Sequence, residues 1–358
     1  MKILVDARPL QTYSRFRGIG RYVNHIIELF REDPEVFFLW FKDKNIDKRV
    51  QNSIVMGTPR RGITFTDKIF LTRLLRKQRF NVFHSTAFAL PCKIPGVKYI
   101  ITIYDLTPLL FPQFSSRKNI YLFKKILGSA KKADQIIAIS QNTKKDLINT
   151  GNFSEKNIKV IYPPVDIRKG EINSDFTDFT DIPPEYVFYA GGTDGNKNVK
   201  TIMKALNIFQ KPLVISGLID NKKKEELLDI INSENRGLVH FTGFISDKEL
   251  AFLYNRAKLF VFPSLYEGFG FPPLEALING TPSVVSRSGS IEEVMKDAAV
   301  YLDDPLDEIE LAEKIDLLWE DSAIGAEIVN KSEKILKEYS IDKFKKELKN
   351  IYFSIGPV

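Results

Sequence analysis

Two glutamates with seven residues between them, Glu267 and Glu275, stand in the segment Ser264-Leu-Tyr-Glu267-Gly-Phe-Gly-Phe-Pro-Pro-Leu-Glu275-Ala-Leu-Ile-Asn-Gly280. An ionised carboxylate accepts several hydrogen bonds, so such a pair suits a ligand rich in hydroxyl groups, a sugar above all. The residues around the pair predict how it is held. Leu259-Phe-Val-Phe262 is a short apolar run of strand type, and Pro272-Pro273 suits the start of a helix that Gly280 ends. Glu267 then falls in a loop at the carboxyl end of a strand. Glu275 falls in the first helical turn, where free N–H groups and the helix dipole favour anions. Between them, Gly268 and Gly270 leave room for a ligand against the backbone, with Phe269 and Phe271 beside it.

The elements that must position this segment follow from apolar periodicity. Runs at Lys2–Val5, Val36–Phe41, Val82–His84, Tyr99–Ile103, Gln135–Ile139 and Lys159–Ile161 alternate with longer amphipathic stretches. The pattern repeats at Tyr186–Ala190, Pro212–Ser216, Leu238–Phe241, Leu259–Phe262 and Ser283–Ser286. Alternation of this kind predicts an α/β chain with two parallel sheets, each covered by helices on both faces. Ligands of such sheets bind outside the carboxyl ends of the strands, so two facing sheets would place the site in the cleft between them. The expected division is a first domain at 1–165, a polar, proline-bounded linker at 166–186, a second domain at 187–335 and a last helical segment at 336–358. A length of 358 residues suits two domains.

Composition narrows the class. The apolar runs fall well short of the roughly 20 residues that a membrane helix needs. The start, Lys2-Ile-Leu-Val-Asp6, reads as a strand and not as a signal peptide, which suggests a cytoplasmic protein. Cys92 is the single cysteine, so it serves neither an intrachain disulfide nor a cysteine-based metal site. Charge is divided unevenly. Residues 1–165 hold 29 Lys and Arg against 12 Asp and Glu, whereas the remainder holds 23 against 33. The basic half, with clusters at Arg60-Arg61, Arg73 to Arg79, and Lys124-Lys125 with Lys131-Lys132, suits an anionic membrane surface or a phosphorylated acceptor; solvated helix faces would look the same. No zinc-finger spacing, RNA-recognition signature or basic zipper occurs, which argues against nucleic acid as a partner.

Three further groups stand where chemistry is expected. Arg15-Phe-Arg17-Gly18-Ile-Gly20-Arg21-Tyr22 follows the opening strand and precedes a helix expected over Tyr22–Phe30, so the N–H groups of Gly18 and Gly20 could meet a phosphate or a sugar, or the glycines could simply make a tight turn. Thr102-Ile-Tyr104-Asp105 ends a buried strand. His84 ends its neighbour, as a lining residue or as a satisfied core histidine. Ser290-Ile-Glu-Glu293 reads as a capping box.

The segment from Glu267 to Glu275, followed by Gly280-Thr-Pro282, closely resembles the signature of the retaining family-4 glycosyltransferases of GT-B architecture. Tyr189-Ala-Gly-Gly192-Thr-Asp-Gly-Asn-Lys197-Asn198, Phe241-Thr-Gly243-Phe-Ile-Ser-Asp-Lys-Glu-Leu250, Ser288 to Val294 and Asp297 to Val300 occur in that family's usual order. The resemblance implies two facing Rossmann-like domains, with the last helix crossing back to the first. It also implies transfer of a hexosyl unit from a nucleotide-activated sugar, such as a UDP- or GDP-hexose, to a saccharide or lipid-linked acceptor in bacterial polysaccharide or glycolipid assembly. The implied roles are hydrogen bonding of sugar hydroxyls by Glu267, of ribose hydroxyls by Glu275, and neutralisation of diphosphate by Lys197. Backbone around Gly243, Phe244 and Ile245 would hold the base, and Gly18, Gly20, Tyr104, Asp105 and Thr193 would also line the donor. Arg17, Arg21 and His84 would face the acceptor.

Same-face attack, with the leaving phosphate taking the acceptor's proton, needs neither a cofactor nor a metal, and no Asp-x-Asp occurs in the chain. Two departures stand out. Thr193 occupies a position where many members carry Arg, for which Arg17, Arg21 or Arg287 could substitute, and Tyr104 stands where a His is common. Both leave open a catalytically silent nucleotide-binding subunit. A nicotinamide oxidoreductase is disfavoured because Val23 interrupts the glycine fingerprint.

Overall fold

The computed structural model describes residues 1–42, 46–56, 65–165 and 181–355, with backbone alone for 65–68. The Arg60-Arg61 cluster and residues 166–180 of the expected linker lie outside the described residues. Two units emerge: Met1–Pro164 together with Tyr339–Val358, and Val165–Glu338.

In the first unit the strands are β1 (Ile3–Asp6), β2 (Val36–Phe41), β3 (Ser53–Met56), β4 (Val82–Ser85), β5 (Lys98–Ile103), β6 (Gln135–Ala138) and β7 (Ile158–Val160). They form one parallel sheet in the order β3-β2-β1-β4-β5-β6-β7. Strands buried on both faces need apolar residues at every position, which is why the inner ones read as unbroken runs. Edge strand β3 lacks such a run, and three of its four residues are exposed or half-buried; the sequence reading passes over it for that reason.

The helices are α1 (Gly18–Phe30), α2 (Phe65–Lys77), α3 (Thr107–Leu110), α4 (Arg117–Ala130), α5 (Gln141–Asn149) and, from the carboxyl end, α14 (Ile341–Ile355). Leu71 and Leu75 of α2, Leu127 and Ala130 of α4 and Leu147 of α5 join Phe83, Tyr99 and Ile136 in one core on one face of the sheet. On the other face α1 meets α14, with the Tyr22 ring edge-on to Phe344 and the Phe30 ring to Tyr352.

A line of buried polar groups fastens α14 to the sheet. Tyr352 Oη lies 2.8 Å from His84 Nδ1, His84 Nε2 lies 2.8 Å from Thr102 Oγ1, and the same hydroxyl lies 3.1 Å from Tyr22 Oη. Each member satisfies its neighbour, as buried polar groups must. His84 is fully buried, and the loss of hydration pushes its pKa down to about 3.

The second unit repeats the plan with β8 (Val187–Ala190), β9 (Leu213–Ser216), β10 (Val239–Gly243), β11 (Leu259–Phe262), β12 (Ser283–Ser286) and β13 (Val300–Leu302). They form a parallel sheet in the order β10-β9-β8-β11-β12-β13. Its helices are α6 (Val199–Phe209), α7 (Asn221–Leu228), α8 (Asp247–Arg256), α9 (Phe271–Ile278), α10 (Ile291–Met295), α11 (Glu308–Glu320), α12 (Ser322–Asn330) and α13 (Ser332–Leu336). The chain builds outward from β8 through β9 to β10, then returns to lay β11 on the other side of β8. This reversal opens a crevice at the carboxyl ends of β8 and β11, where doubly wound sheets bind ligands.

His84 makes stability pH-dependent with a definite sign. Folded, it takes up no proton until about pH 3; in the unfolded chain it takes one up below about pH 6.5. The unfolded state therefore binds more protons between those values, and stability falls as pH falls through that window, by up to about 1.4 kcal/mol per unit. Urea unfolding at pH 7 and pH 5 should show the wild type losing about 2 kcal/mol more than a His84→Gln variant. Equal losses would mean that His84 is not held neutral.

Candidate functional site

The crevice of the second unit brings Lys197 and Glu267 together. Lys197 ends a tight helical turn, Gly195–Lys197, after β8, and Glu267 stands in the loop after β11. Lys197 Nζ donates to both oxygens of Glu267, at 2.6 Å to Oε1 and 2.8 Å to Oε2. The side chains retain 22% and 12% of their exposure, so the pair is sheltered yet reachable.

Each loop is held by specific contacts. Asn198, next to Lys197, adopts a left-handed conformation (φ 56°), which Asn tolerates better than most side chains. Its amide donates to the carbonyls of Pro263 and Pro305, tying the lysine turn to the end of β11. The buried Ser264 hydroxyl lies 2.6 Å from Glu267 Oε1 and donates to it. The Glu267 carbonyl accepts from both the N–H and the hydroxyl of Ser290, each at 3.1 Å. Gly289 makes that approach possible: it takes φ +62°, and a Cβ there would lie 2.5 Å from the Glu267 carbonyl oxygen.

The remaining hydrogen-bonding capacity can be counted. An ammonium has three N–H groups, and Lys197 gives two to Glu267, which leaves one. A carboxylate has about four lone-pair sites. Lys197 takes one on each oxygen and Ser264 a second on Oε1, so Oε2 keeps one. One donor and one acceptor thus stand side by side at the crevice, suited to a phosphate oxygen and a sugar hydroxyl. Nearby, the buried Tyr189 hydroxyl donates to the Gly192 carbonyl at 2.6 Å. Burial, reinforced by the charge of Glu267, raises its pKa well above the usual tyrosine value, so it stays a neutral donor.

Several expectations need correction. Glu275 does not lie in the first helical turn. Helix α9 starts at Phe271, so Glu275 is its fifth residue, 2% exposed, and its Oε2 accepts from the Tyr254 hydroxyl at 3.2 Å. Gly268, Phe269 and Gly270 are buried, and Phe271 is half-buried with its ring 5.0 Å from that of Phe269. Gly270 sits at φ +96° as the residue that starts α9, so the turn makes use of its freedom. Ser290 forms no capping box. Its backbone is helical (φ −91°, ψ −1°), and its hydroxyl turns to Glu267; the two-sided capping box of this unit is Ser246 with Glu249. Arg287 is engaged by Glu292 and Asp303 and lies over the Tyr301 ring. Thr193 is half-buried, as is Ile245, while Phe244 is 58% exposed beyond the end of β10.

The other expected residues belong to the first unit. Helix α1 begins at Gly18 and not at Tyr22. Gly20 lies within it, its N–H bonded to the Arg17 carbonyl, and a Cβ there would lie 2.4 Å from the Arg15 carbonyl oxygen. Close backbone packing accounts for this glycine. Gly18 and Arg21 are half-buried, and the exposed Arg17 lies over the Tyr13 ring. His84 is a core histidine, fully buried. The Tyr104 hydroxyl is buried, has no hydrogen-bond partner, and has a pKa raised well above normal by burial. Its ring packs edge-on against Tyr22. Asp105 Oδ1 accepts the N–H of Thr107, shaping the entry to α3.

Three contributors escaped the sequence reading. Ser264 and Asn198 carry only the signal of position, small polar residues flanking the charged pair. A buried bidentate ion pair, Arg8 Nε to Asp6 Oδ1 at 2.8 Å and Arg8 Nη2 to Asp6 Oδ2 at 2.5 Å, ends β1, with the guanidinium over the rings of Phe41 and Phe88. Opposite charges flanking Ala7 at the end of an apolar strand were its signal.

Known proteins share this plan. The family model described as Glycosyl transferases group 1 matches residues 176–342, and the one described as Glycosyltransferase Family 4 matches residues 16–169. Among curated relatives, the serotype-specific mannosyltransferase WbdA of Escherichia coli is 29% identical over 236 residues, covering 59% of this chain and 28% of WbdA. O-antigen chain mannosyltransferase B of Escherichia coli is 26% identical over 251 residues, covering 64% of this chain and 63% of the relative. The chain spans less than two thirds of the length of either relative. In fold it is similar to Anabaena Alr3699/HepE, whose crystal structure holds UDP and glucose, with a TM-score of 0.77, 18% identity and coverage of 99% and 100%.

The role of Gly289 is open to a direct test. Gly289→Ala adds a left-handed backbone penalty of roughly 1–2 kcal/mol to the clash with Glu267 and should lower stability by more than that. Gly128→Ala, in helix α4 with open space around it, should instead raise stability by about 0.5–1 kcal/mol. Urea midpoints of the two variants measure the contrast; a harmless Gly289→Ala would refute the packing described for this loop.

Proposed function

Because the chain belongs to the family-4 glycosyltransferases of GT-B fold, we propose that it transfers a hexosyl unit from a nucleotide-activated sugar to a saccharide or lipid-linked acceptor in bacterial polysaccharide or glycolipid assembly. The observation that carries this reading is the Lys197–Glu267 pair, placed at the strand reversal with one donor and one acceptor still available. The relatives named as mannosyltransferases favour a mannosyl donor; they also weigh against a silent binding subunit.

The chemistry follows from the pair. As the bond between sugar and diphosphate lengthens, negative charge gathers on the leaving phosphate. The third N–H of Lys197 meets that charge more strongly in the transition state than in the ground state, which lowers the barrier. Glu267 holds one sugar hydroxyl through the free site on Oε2 and fixes the anomeric carbon relative to Lys197. We assign the transfer a retaining course, with the acceptor attacking on the face that the nucleotide leaves and its proton passing to the leaving phosphate. Diphosphate charge is then balanced by Lys197 and backbone N–H groups, with no metal invoked. The exposed Phe244, at the end of β10, offers a ring for the base beside the backbone of Gly243 and Ile245. Glu275 takes the ribose hydroxyls by turning from Tyr254.

If each removes one transition-state contact of about 3 kcal/mol, Glu267→Gln and Lys197→Ala should each lower kcat by roughly 10²-fold or more. Because the two residues touch, the double variant should be little worse than either single one. Full additivity, or turnover near that of the wild type, would remove the pair from the mechanism. Glu275→Gln keeps an acceptor for Tyr254, so it separates binding from folding. A ribose role predicts about tenfold weaker nucleotide binding with unchanged thermal stability, the loss of roughly one hydrogen bond to a charged group. Unchanged nucleotide affinity by calorimetry would make Glu275 a core residue only.

A further inference from the structure

Helix α4 carries a row of cations that no carboxylate answers. From Arg117 to Lys132 the chain has Arg117, Lys118, Lys124, Lys125, Lys131 and Lys132 and neither Asp nor Glu. All six are exposed, and none forms an ion pair among the described residues. Some lysines of the second unit differ in this respect: Lys204, Lys211, Lys258 and Lys331 each sit against a carboxylate.

Between the cations lie Tyr121, 57% exposed, and Leu122, 44% exposed, with Lys125 Nζ 4.4 Å from the centre of the Tyr121 ring. The opposite side of the helix is accounted for, because Leu127 and Ala130 are buried in the core. The outward stripe is therefore basic, aromatic and aliphatic at once. On α2, which packs into the same core, Arg73, Arg76 and Lys77 are exposed as well.

We propose that the outer surface of α4 docks this protein on an anionic lipid bilayer, with lipid phosphates around the lysines and Tyr121 and Leu122 at headgroup depth. Charge complementarity selects an anionic surface, since the helix and the two residues after it offer six cations and no carboxylate. Two features select a bilayer over a free phosphate. The cations run over roughly 20 Å of helix, far wider than one phosphate group. An aromatic ring and a leucine left in water beside them gain by entering a headgroup region, where tyrosine collects. The helix connects β5 to β6 and so begins at the end of the sheet where β5 finishes, so docking through its first turns would bring that end of the unit to the lipid. The inference does not depend on the transferase reading.

Vesicle sedimentation of the full chain is the test, with phosphatidylcholine alone against phosphatidylcholine mixed with phosphatidylglycerol. Binding should appear with the mixed vesicles only and weaken steeply as salt rises. At roughly fivefold per cation, Lys124→Gln with Lys125→Gln should weaken it about 25-fold. Tyr121→Ser with Leu122→Ser should also weaken it, while leaving the salt dependence in place. All four positions are exposed, and circular dichroism checks that the variants fold. Equal sedimentation with both lipids, or variants that bind like the wild type, would overturn the proposal. So would displacement from the vesicles by inorganic phosphate or an RNA oligomer together with an unaffected Tyr121→Ser, Leu122→Ser variant, since either would reveal a general polyanion site.

Discussion

The geometry of the second unit depends on one sheltered ion pair. Lys197 and Glu267 come from loops 70 residues apart in sequence, and each compensates the partial burial of the other. Withdrawing a charge from water costs several kcal/mol, which is recovered only with a well-placed partner and further hydrogen bonds. The surrounding backbone supplies those conditions: Asn198 holds the lysine turn to β11, Gly289 admits the Ser290 contact, and Ser264 fixes one carboxylate oxygen. The pair is neutral overall, yet it keeps one N–H and one lone pair unused. Such a site has little charge to shed before binding, and its polar groups are oriented beforehand, which is the condition for favouring a transition state over a ground state.

The first unit uses its polar residues differently. His84, Thr102, Tyr22 and Tyr352 form a buried neutral line, and Asp6 with Arg8 forms a buried bidentate pair. Both join elements distant in sequence or close a strand end, so they define how α14 and the start of the chain fit the sheet. Of the residues that attract attention as ligand contacts, His84 is engaged by buried hydrogen bonds and Gly20 by close backbone packing. Uneven chemistry between two similar sheets is expected, because function lies in sites added to a fold and not in the fold itself.

Legibility followed burial. Strands covered on both faces must be apolar throughout, so β2, β5, β8 and β11 were plain in the sequence; of the edge strands, β10 still showed as Leu238–Phe241 though half-buried, whereas β3 and β13 left no run to find. The glycines have local reasons that sequence did not specify. Gly20 and Gly270 suggested a ligand close to the backbone, and the structure adds that one admits a neighbouring carbonyl and the other takes a left-handed turn. Ser290 satisfied the pattern of a capping box, but the pattern does not specify backbone angles, and these turned the hydroxyl elsewhere. Glu267 and Lys197 were legible as charged residues in loops after buried strands. That they bind each other was not, because sequence gives the loops but not the strand order that sets β8 beside β11.

The same reasoning bears on the charge imbalance. Helix α4 opens with Arg117 and Lys118 and has no acid in its first turn, although the positive end of the helix dipole favours anions there by about 0.3–1 kcal/mol each. Like charges along its outer face repel one another as well. Lysines elsewhere in the chain do find such partners, as Lys258 does in Glu185 and Lys331 in Glu327, although α7 also opens on lysines with no acid in its first turn. A helix that forgoes such pairing, and sets its cations against its own dipole, is less stable in isolation than it could be. Its sequence is better matched to a surface outside the chain than to the fold that carries it.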